Sequence, residues 1–254
     1  MNRIRIVTIN LAGINFDWFE KRRQVLIGQL QELEPDVIFL QETTIVVENN
    51  YDQSLDIAGE TGLTSVAFAP YGNIREFESP KLGGVAILSK YPFTYVQNRR
   101  LPPAQRDEYG ARVGLMVKIE KTGNDIILAT THLSWRTDES ELRFAQVTEF
   151  LKLISSAGSL PVIIGGDFNC TTDEPAVRKI LQSYKDTFFD LHPKNDGITW
   201  CSKNNYIRSR KDRRIDYIFC SHDLRVERAE VVLNHKQPIF PSDHFGVLTD
   251  LILL

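Results

Sequence analysis

The sequence predicts an α/β (α+β) domain in which β-sheets pack together with helices outside them. Two observations carry this expectation. About ten short apolar runs have strand length and turn-like flanks, and they are interleaved with two long and a few short stretches of helical spacing. The 254 residues, 42% hydrophobic and 25% charged, suffice for a sizeable core, and no linker divides them, so a single domain over 1–254 is expected.

Taken in order, Arg3 to Asn10 alternates and then turns continuously apolar, as a strand buried on both sides does. Trp18 to Leu33 is helical, with Leu26, Leu30 and Leu33 at i, i+4 and i+7 and Pro35 as a stop. Asp36 to Leu40 is a buried strand that runs directly into Gln41-Glu42. Tyr51 to Gly62 suits a short helix, Thr64 to Ala69 a strand, Pro70 to Leu82 a mobile polar loop, and Gly84 to Ser89 a buried strand. Arg112 to Ile119 and Asp125 to Leu133 are strands, the second closing on Thr131-His132-Leu133. Asp138 to Ala157 is a helix with Val147, Phe150, Leu151 and Ile154 inward and Gly158 as its C-cap. Pro161 to Asn169, PVIIGGDFN, is an apolar run ending in two glycines, an aspartate and an asparagine. A short helix opens at Pro175, Arg214 to Phe219 alternates as a strand, and Val247 to Leu253 is the last strand.

A net charge of −3 argues against non-specific coating of nucleic acid by bulk charge. Cys170, Cys201 and Cys220 are odd in number and form no CxxC, which argues against a disulfide framework or a zinc site and fits a reducing compartment. With no signal-peptide pattern and no transmembrane run, a cytoplasmic location is expected. No feature points to a protein partner.

Polar residues recur where strands run out. They are Asn10, Glu42, His132, Asp167 and Asn169, joined by Asp216, Asp243 and His244, with Arg112 at a strand start. Singly, each suits an ordinary turn or cap, and GGDFN alone is equally an Asx-type turn. Together, several carboxylates aimed at one edge would repel each other without a cation. Oxygen donors point to Mg2+ or Mn2+. That equipment suits phosphoester hydrolysis: a cation neutralises phosphate oxygens, a carboxylate takes a proton from water, and His, Asn and Arg hold the transition-state oxygens.

In order, VTINLAG, LQE, GVAILS, THL, GGDFN, TW, RIDYIF and PSDHFGV resemble the endonuclease/exonuclease/phosphatase superfamily, which includes the pancreatic-type deoxyribonucleases, over residues 8 to 248. The resemblance implies a DNase-I-like four-layer sandwich, two mixed β-sheets flanked by helices. It also implies a divalent-metal-dependent phosphodiesterase or nuclease, with a phosphoester such as DNA or RNA as substrate. Carried over by motif, Glu42, Asn10 and Asp243 would hold metal, and Asp167 would activate water. Asn169 and His132 would contact the phosphate, and Asp216 would orient His244 against it. Arg112 and Trp200 would bind substrate. Ala12 stands where repair-type abasic endonucleases often carry an acid, and the inositol-phosphatase signature is missing. The motifs look closest to bacterial members of unassigned substrate, neutral sphingomyelinases and the tyrosyl-DNA phosphodiesterase branch. Lipid phosphodiesterase, phosphomonoesterase and an inactive binding module therefore stand as alternatives. The run KNNYIRSRKDRR, Lys203 to Arg214, is either a solvated surface or a loop drawing an anionic substrate, through Arg208 and Arg210 in particular.

Overall fold

The computed structural model describes residues 3–72, 81–104, 111–236 and 239–253. In chain order the strands are β1 (Arg3–Asn10), β2 (Val37–Val46), β3 (Tyr51–Asp52), β4 (Ser65–Pro70), β5 (Lys81–Ser89), β6 (Phe93–Arg100), β7 (Val113–Lys121), β8 (Asn124–His132), β9 (Val162–Asp167), β10 (Lys185–Asp186), β11 (Asp216–Cys220), β12 (Leu224–Val232) and β13 (Gly246–Leu253). The α-helices are α1 (Arg23–Leu33), α2 (Gln53–Thr61), α3 (Ser140–Ser155), α4 (Pro175–Ile180) and α5 (Thr187–Leu191). One sheet runs β12-β13-β1-β2-β5-β4 with β3 paired to β2, and the other runs β10-β11-β9-β8-β7-β6. Both are mixed, because β1 and β2 are parallel, as are β8 and β9, while the remaining pairs are antiparallel.

Alternation of side chains sorts the core into layers. Ile4, Ile6, Phe39, Ile87, Leu115, Leu128, Ile163 and Ile218 meet between the sheets. The opposite faces bury Val7, Ile9, Ile38 and Leu40 against α1 and α2 on one side. On the other, Ile127, Ile164, Tyr217 and Phe219 meet α3 and α4. The four-layer sandwich is therefore present. A polar seam crosses it: Gln41 Nε2 donates to Thr8 Oγ1 (3.2 Å) in its own sheet and to Thr130 Oγ1 (3.1 Å) in the other.

Several elements differ from expectation. The helix expected from Trp18 begins as a π-helical turn, Trp18–Arg22, before α1. β2 does not stop at Glu42 but continues to Val46 through a bulge, because the register skips Glu42 between Gln41 and Thr43. On α3, Leu153 is the fully buried residue and Leu151 only partly so. β3, β6, β10, β12 and α5 were not anticipated, β3 taking Tyr51 and Asp52 from the start of the helix expected there. β6 is an edge strand largely exposed on both faces, and β12 carries an irregularity between Val226 and Arg228, so neither shows clean alternation. Most of the polar loop expected over Pro70 to Leu82 lies outside the described residues, while Pro70, Lys81 and Leu82 themselves belong to strands.

The two glycines of PVIIGGDFN lie inside β9 rather than after it. A Cβ on Gly166 would stand 2.3 Å from the Thr131 carbonyl oxygen, and one on Gly165 would stand 2.2 Å from Phe39 Cδ2 across the sheets. It is neighbouring protein that approaches them closely. Gly165→Ala is therefore expected to cost ~1–3 kcal/mol through overpacking. Urea unfolding tests this, and Phe39→Leu in the same chain should recover part of the loss; additive losses would refute the proposed clash.

Candidate active site

Strand direction alone gathers the polar termini. β1 and β2 run parallel, so Asn10 and the bulged Glu42 emerge at one end of their sheet. β8 and β9 do the same for His132 and Asp167, which are register partners. β11 and β13 run antiparallel to β9 and β1, so their starts lie at that same end; Asp216 pairs with Asp167, and Asp243-His244 just precedes β13. Arg112 precedes β7, whose first residues face the end of β8.

Asp167 and Asn10 each divide their oxygens or amide between a local turn and the site. Asp167 Oδ1 accepts the Asn169 N–H at 2.8 Å, an Asx turn, leaving Oδ2 to accept Asn10 Nδ2 at 3.0 Å. Asn10 Oδ1 accepts the Ala12 N–H at 2.9 Å, and its Nδ2 also reaches Glu42 Oε1 at 3.3 Å. Ala12, Glu42 and Asn169 all adopt left-handed φ, of 54°, 52° and 52°. Non-glycine residues accept this conformation at a cost of about 1–3 kcal/mol when their surroundings require it.

Burial and neighbouring Asp216 push the Asp167 carboxyl up to about 7, against the opposing pull of His244 and Asn10. Burial, then Asp243, raises Glu42 as well. The two histidines are driven apart. Burial would lower His244, but Asp216, whose Oδ2 lies 2.9 Å from Nδ1, and Asp167 outweigh it and hold the ring protonated. Its Nε2 is then 3.8 Å from Asp167 Oδ2. His132 is pushed well below its ordinary value by burial, with Arg112 and His244 adding to the effect. Arg112 Nη1 lies 3.2 Å and Tyr71 Oη 2.9 Å from His132 Nδ1. Arginine and amide nitrogens only donate, so Arg112 at Nδ1 and Asn169 Nδ2, 2.9 Å from Nε2, both face the ring with N–H groups, which opposes a proton on it, while Asp167 Oδ2 lies 3.4 Å from Nε2.

Supports for these groups come from residues the motifs did not single out. The fully buried Arg22 guanidinium donates from Nη1 to the carbonyls of Leu11 and Pro241, both at 2.8 Å, tying the segment after Asn10 to the segment before Asp243. It also binds the carbonyls of Gly13, Asn15 and Phe16, and burial lowers its pKa to about 10. Asn204 donates to the Ser242 and Asp243 carbonyls at 2.8 and 3.1 Å. Thr199 Oγ1 accepts the Ile215 and Asp216 N–H groups at 3.2 Å, while the neighbouring Trp200 ring packs edge-on to His244 with centroids 4.8 Å apart.

A pocket of about 200 Å³ is lined by Glu42, His132, Asp167, Asn169, Trp200, Asp243 and His244. Asn10, Asp216 and Arg112 contact its walls. Of the basic run, Arg213 lines the pocket, whereas Arg208 and Arg210 are exposed and have no hydrogen bond or ion pair to these residues among the described contacts. Arg214 is buried in an ion pair with Asp186 at 2.6 Å. Trp135, within THLSW, was also missed: it is 52% exposed at the pocket wall, and an aromatic residue two positions after a strand-end histidine and leucine was the available signal.

The sequence pattern of the Endonuclease/Exonuclease/phosphatase family matches residues 7–244. Nocturnin of Xenopus laevis is 25% identical over 257 residues, covering 91% of this chain and 64% of that protein. Tyrosyl-DNA phosphodiesterase 2 of Xenopus laevis is 28% identical over 271 residues, covering 98% of this chain and 66% of that protein. The chain thus spans about two thirds of the length of these relatives. An endonuclease/exonuclease/phosphatase structure from Beutenbergia cavernae superimposes with a TM-score of 0.80 at 22% identity, covering all of this chain and 72% of that one, and shares its fold.

These charges give stability a definite pH dependence. For Asp167 the folded value, about 7, lies above the ~3.9 of an unfolded aspartate, so the unfolded chain ionises first and stability falls as pH rises between them. For His244 the raised folded value gives stability that is full below the unfolded ~6.5 and lost as pH rises through the folded value. Both effects have one sign. His132, held low, contributes the opposite sign, so the test is the difference between variants: in EDTA, the change in melting temperature from pH 5 to pH 8 should be less negative for Asp167→Asn than for wild type, and parallel curves would refute the burial of an ionising Asp167.

Proposed function

Because the chain belongs to the endonuclease/exonuclease/phosphatase family, we propose that it is a divalent-cation-dependent hydrolase of phosphoester bonds, a phosphodiesterase acting on nucleic acid and built as one catalytic domain. The observation that carries this reading is the pairing, in one pocket, of a carboxylate pushed up to about 7 with an imidazole held protonated by Asp216. That pair is a base near neutrality beside an acid. The name of tyrosyl-DNA phosphodiesterase 2 supports the substrate class.

The donor chemistry fits a hard cation. Glu42 and Asp243 face the pocket, where burial and then the Asp243 charge raise the Glu42 pKa, and hard oxygen donors of this kind suit Mg2+ or Mn2+. Asp167, Asp216 and His244 also place ligand atoms within 4.8 Å of one another. A protonated His244 has no lone pair to offer, however, and its Nδ1 is committed to Asp216, so Glu42 and Asp243 are the better holders. Asn10, as placed, turns its N–H to the carboxylates and serves to orient them. When bound, the cation would neutralise phosphate oxygens and the charge that develops on them.

The remaining work falls to the chain. Asp167 takes a proton from the attacking water through Oδ2, the oxygen its Asx turn leaves available. His244 donates from Nε2 to a phosphoryl or leaving oxygen while Asp216 supports its charge. Asn169 and neutral His132 hold the phosphate oxygens, and Arg112 positions the His132 ring through Nδ1. A cytoplasmic setting is part of the proposal, supported by three buried cysteines that are free thiols. Among the described residues no helix is long and apolar enough to cross a membrane.

Hydrolysis of bis-p-nitrophenyl phosphate, oligonucleotides, sphingomyelin and inositol phosphates with Mg2+ or Mn2+ is the test. Asp167→Asn and His244→Ala should each lower kcat about 100-fold or more without unfolding, the scale of a lost general base or acid. Glu42→Gln should raise the half-saturating metal concentration. Inactivity of the wild type on every substrate, or full activity of Asp167→Asn, would defeat the proposal.

A further inference from the structure

A second cleft, of about 510 Å³, adjoins the catalytic pocket and shares Glu42 and Trp135 with it as common walls. Its size is that of pockets that enclose organic ligands, about 300–1,000 Å³. A phosphodiester has two arms, and an arm leaving a phosphate held at Asp167 and His244 across Glu42 enters this cleft. On the proposed phosphodiesterase reading, we infer that the cleft takes a nucleoside arm of the substrate, with Trp135 and Gly83 setting a preference for nucleoside diesters over those with a small alkyl arm.

Its lining matches that occupant. The half-exposed Trp135 indole forms one wall, and its ring is packed by the Arg136 guanidinium at 4.9 Å, which stiffens it as a stacking surface. Ile14 adds an apolar wall. Lys81 and Arg112 supply positive charge suited to a further phosphate on the same arm. The same features oppose a choline headgroup. The Tyr71 face is already covered by the Arg112 guanidinium at 5.0 Å, where a quaternary ammonium would bind, and the two cations Lys81 and Arg112 outnumber the one carboxylate, Glu42, in the wall. The charge and the blocked ring therefore favour a nucleoside over a phosphocholine lipid.

Gly83 keeps the cleft open. It pairs with Thr44 in the β2–β5 ladder, and a Cβ there would meet only the Tyr71 ring at 3.4 Å, an ordinary contact. Gly83→Val can thus be built in the strand while filling the cleft, and Trp135→Ala removes the stacking wall.

The experiment compares kcat/KM for thymidine 5′-(p-nitrophenyl phosphate), methyl p-nitrophenyl phosphate and p-nitrophenylphosphorylcholine in Mg2+ or Mn2+, with circular dichroism to confirm folding of each variant. The wild type should prefer the thymidine diester over the methyl diester by about tenfold or more, as loss of one stacked base would cost, and Gly83→Val and Trp135→Ala should each reduce that ratio severalfold. A ratio near one, a ratio unchanged in both folded variants, or preference for the choline ester would overturn the inference while leaving the hydrolase reading intact. Failure of the wild type to cleave any of the three would overturn the inference, and failure on the oligonucleotides, sphingomyelin, inositol phosphates and bis-p-nitrophenyl phosphate as well would overturn the hydrolase reading.

Discussion

Repulsion among carboxylates at the shared end of two sheets sets the terms for everything around it. Glu42, Asp167, Asp216 and Asp243 line or contact one pocket, and the protein answers with unlike measures at each position. Asp216 is given a protonated imidazole. Asp167 is given two N–H donors, yet burial still leaves it near neutrality in its proton affinity. Glu42 and Asp243 are left half-buried, with His244 and Arg112 pulling against the rise of the Glu42 pKa and no ion pair of their own among the described contacts. That residue of uncompensated charge is what a divalent cation would relieve, and it explains why proton affinity differs so much between groups a few ångströms apart.

Holding such groups together requires backbone that cannot relax. The bulge at Glu42 takes one residue out of the β2–β5 ladder, and its positive φ turns a side chain that an unbroken strand would have directed elsewhere. Its freed N–H donates to Tyr71 Oη, which lies against His132. Arg22 then fixes two loops from a distance. A guanidinium buried without a carboxylate partner among the described contacts would be costly in isolation, but every one of its donors finds a carbonyl. It converts two flexible segments into one rigid rim.

Much of this was legible in the sequence because each polar residue sits at a strand end and strand ends are visible as a loss of hydrophobic periodicity. Asn10, His132 and Asp167 fall where β1, β8 and β9 stop. The ordinary turn reading of Asn10 and Asp167 was also correct, since each makes an Asx-type bond with one side-chain atom. The turn fixes the other atom toward the site, so structure and chemistry are not alternatives there. What stayed hidden depends on contacts remote in sequence. Arg22 looks like any helix arginine until Pro241 arrives beside it, and Gln41 looks like a companion to Glu42 until Thr130 of the other sheet meets it. The basic run was opaque for a related reason: four of its arginines go to three environments, with Arg208 and Arg210 exposed, Arg213 at the pocket and Arg214 under the sheet with Asp186.

The division between strand ends and loops has a consequence for specificity. Asp167, His132 and Asp216 are anchored on paired strands, where register fixes them to one another; Asp167 and His132 are direct ladder partners, as are Asp167 and Asp216. Side chains that could recognise the rest of a substrate stand on the segments between, Ile14 and Trp135 on loops and Arg213 beside an isolated bridge to Trp200. Substitutions there alter shape and charge without disturbing the ladder that holds the reactive groups. The pocket is therefore marked both by motif and by register, whereas the adjoining cleft is shaped by residues such as Trp135 on a loop and Gly83 within β5, whose place there no strand pattern announces.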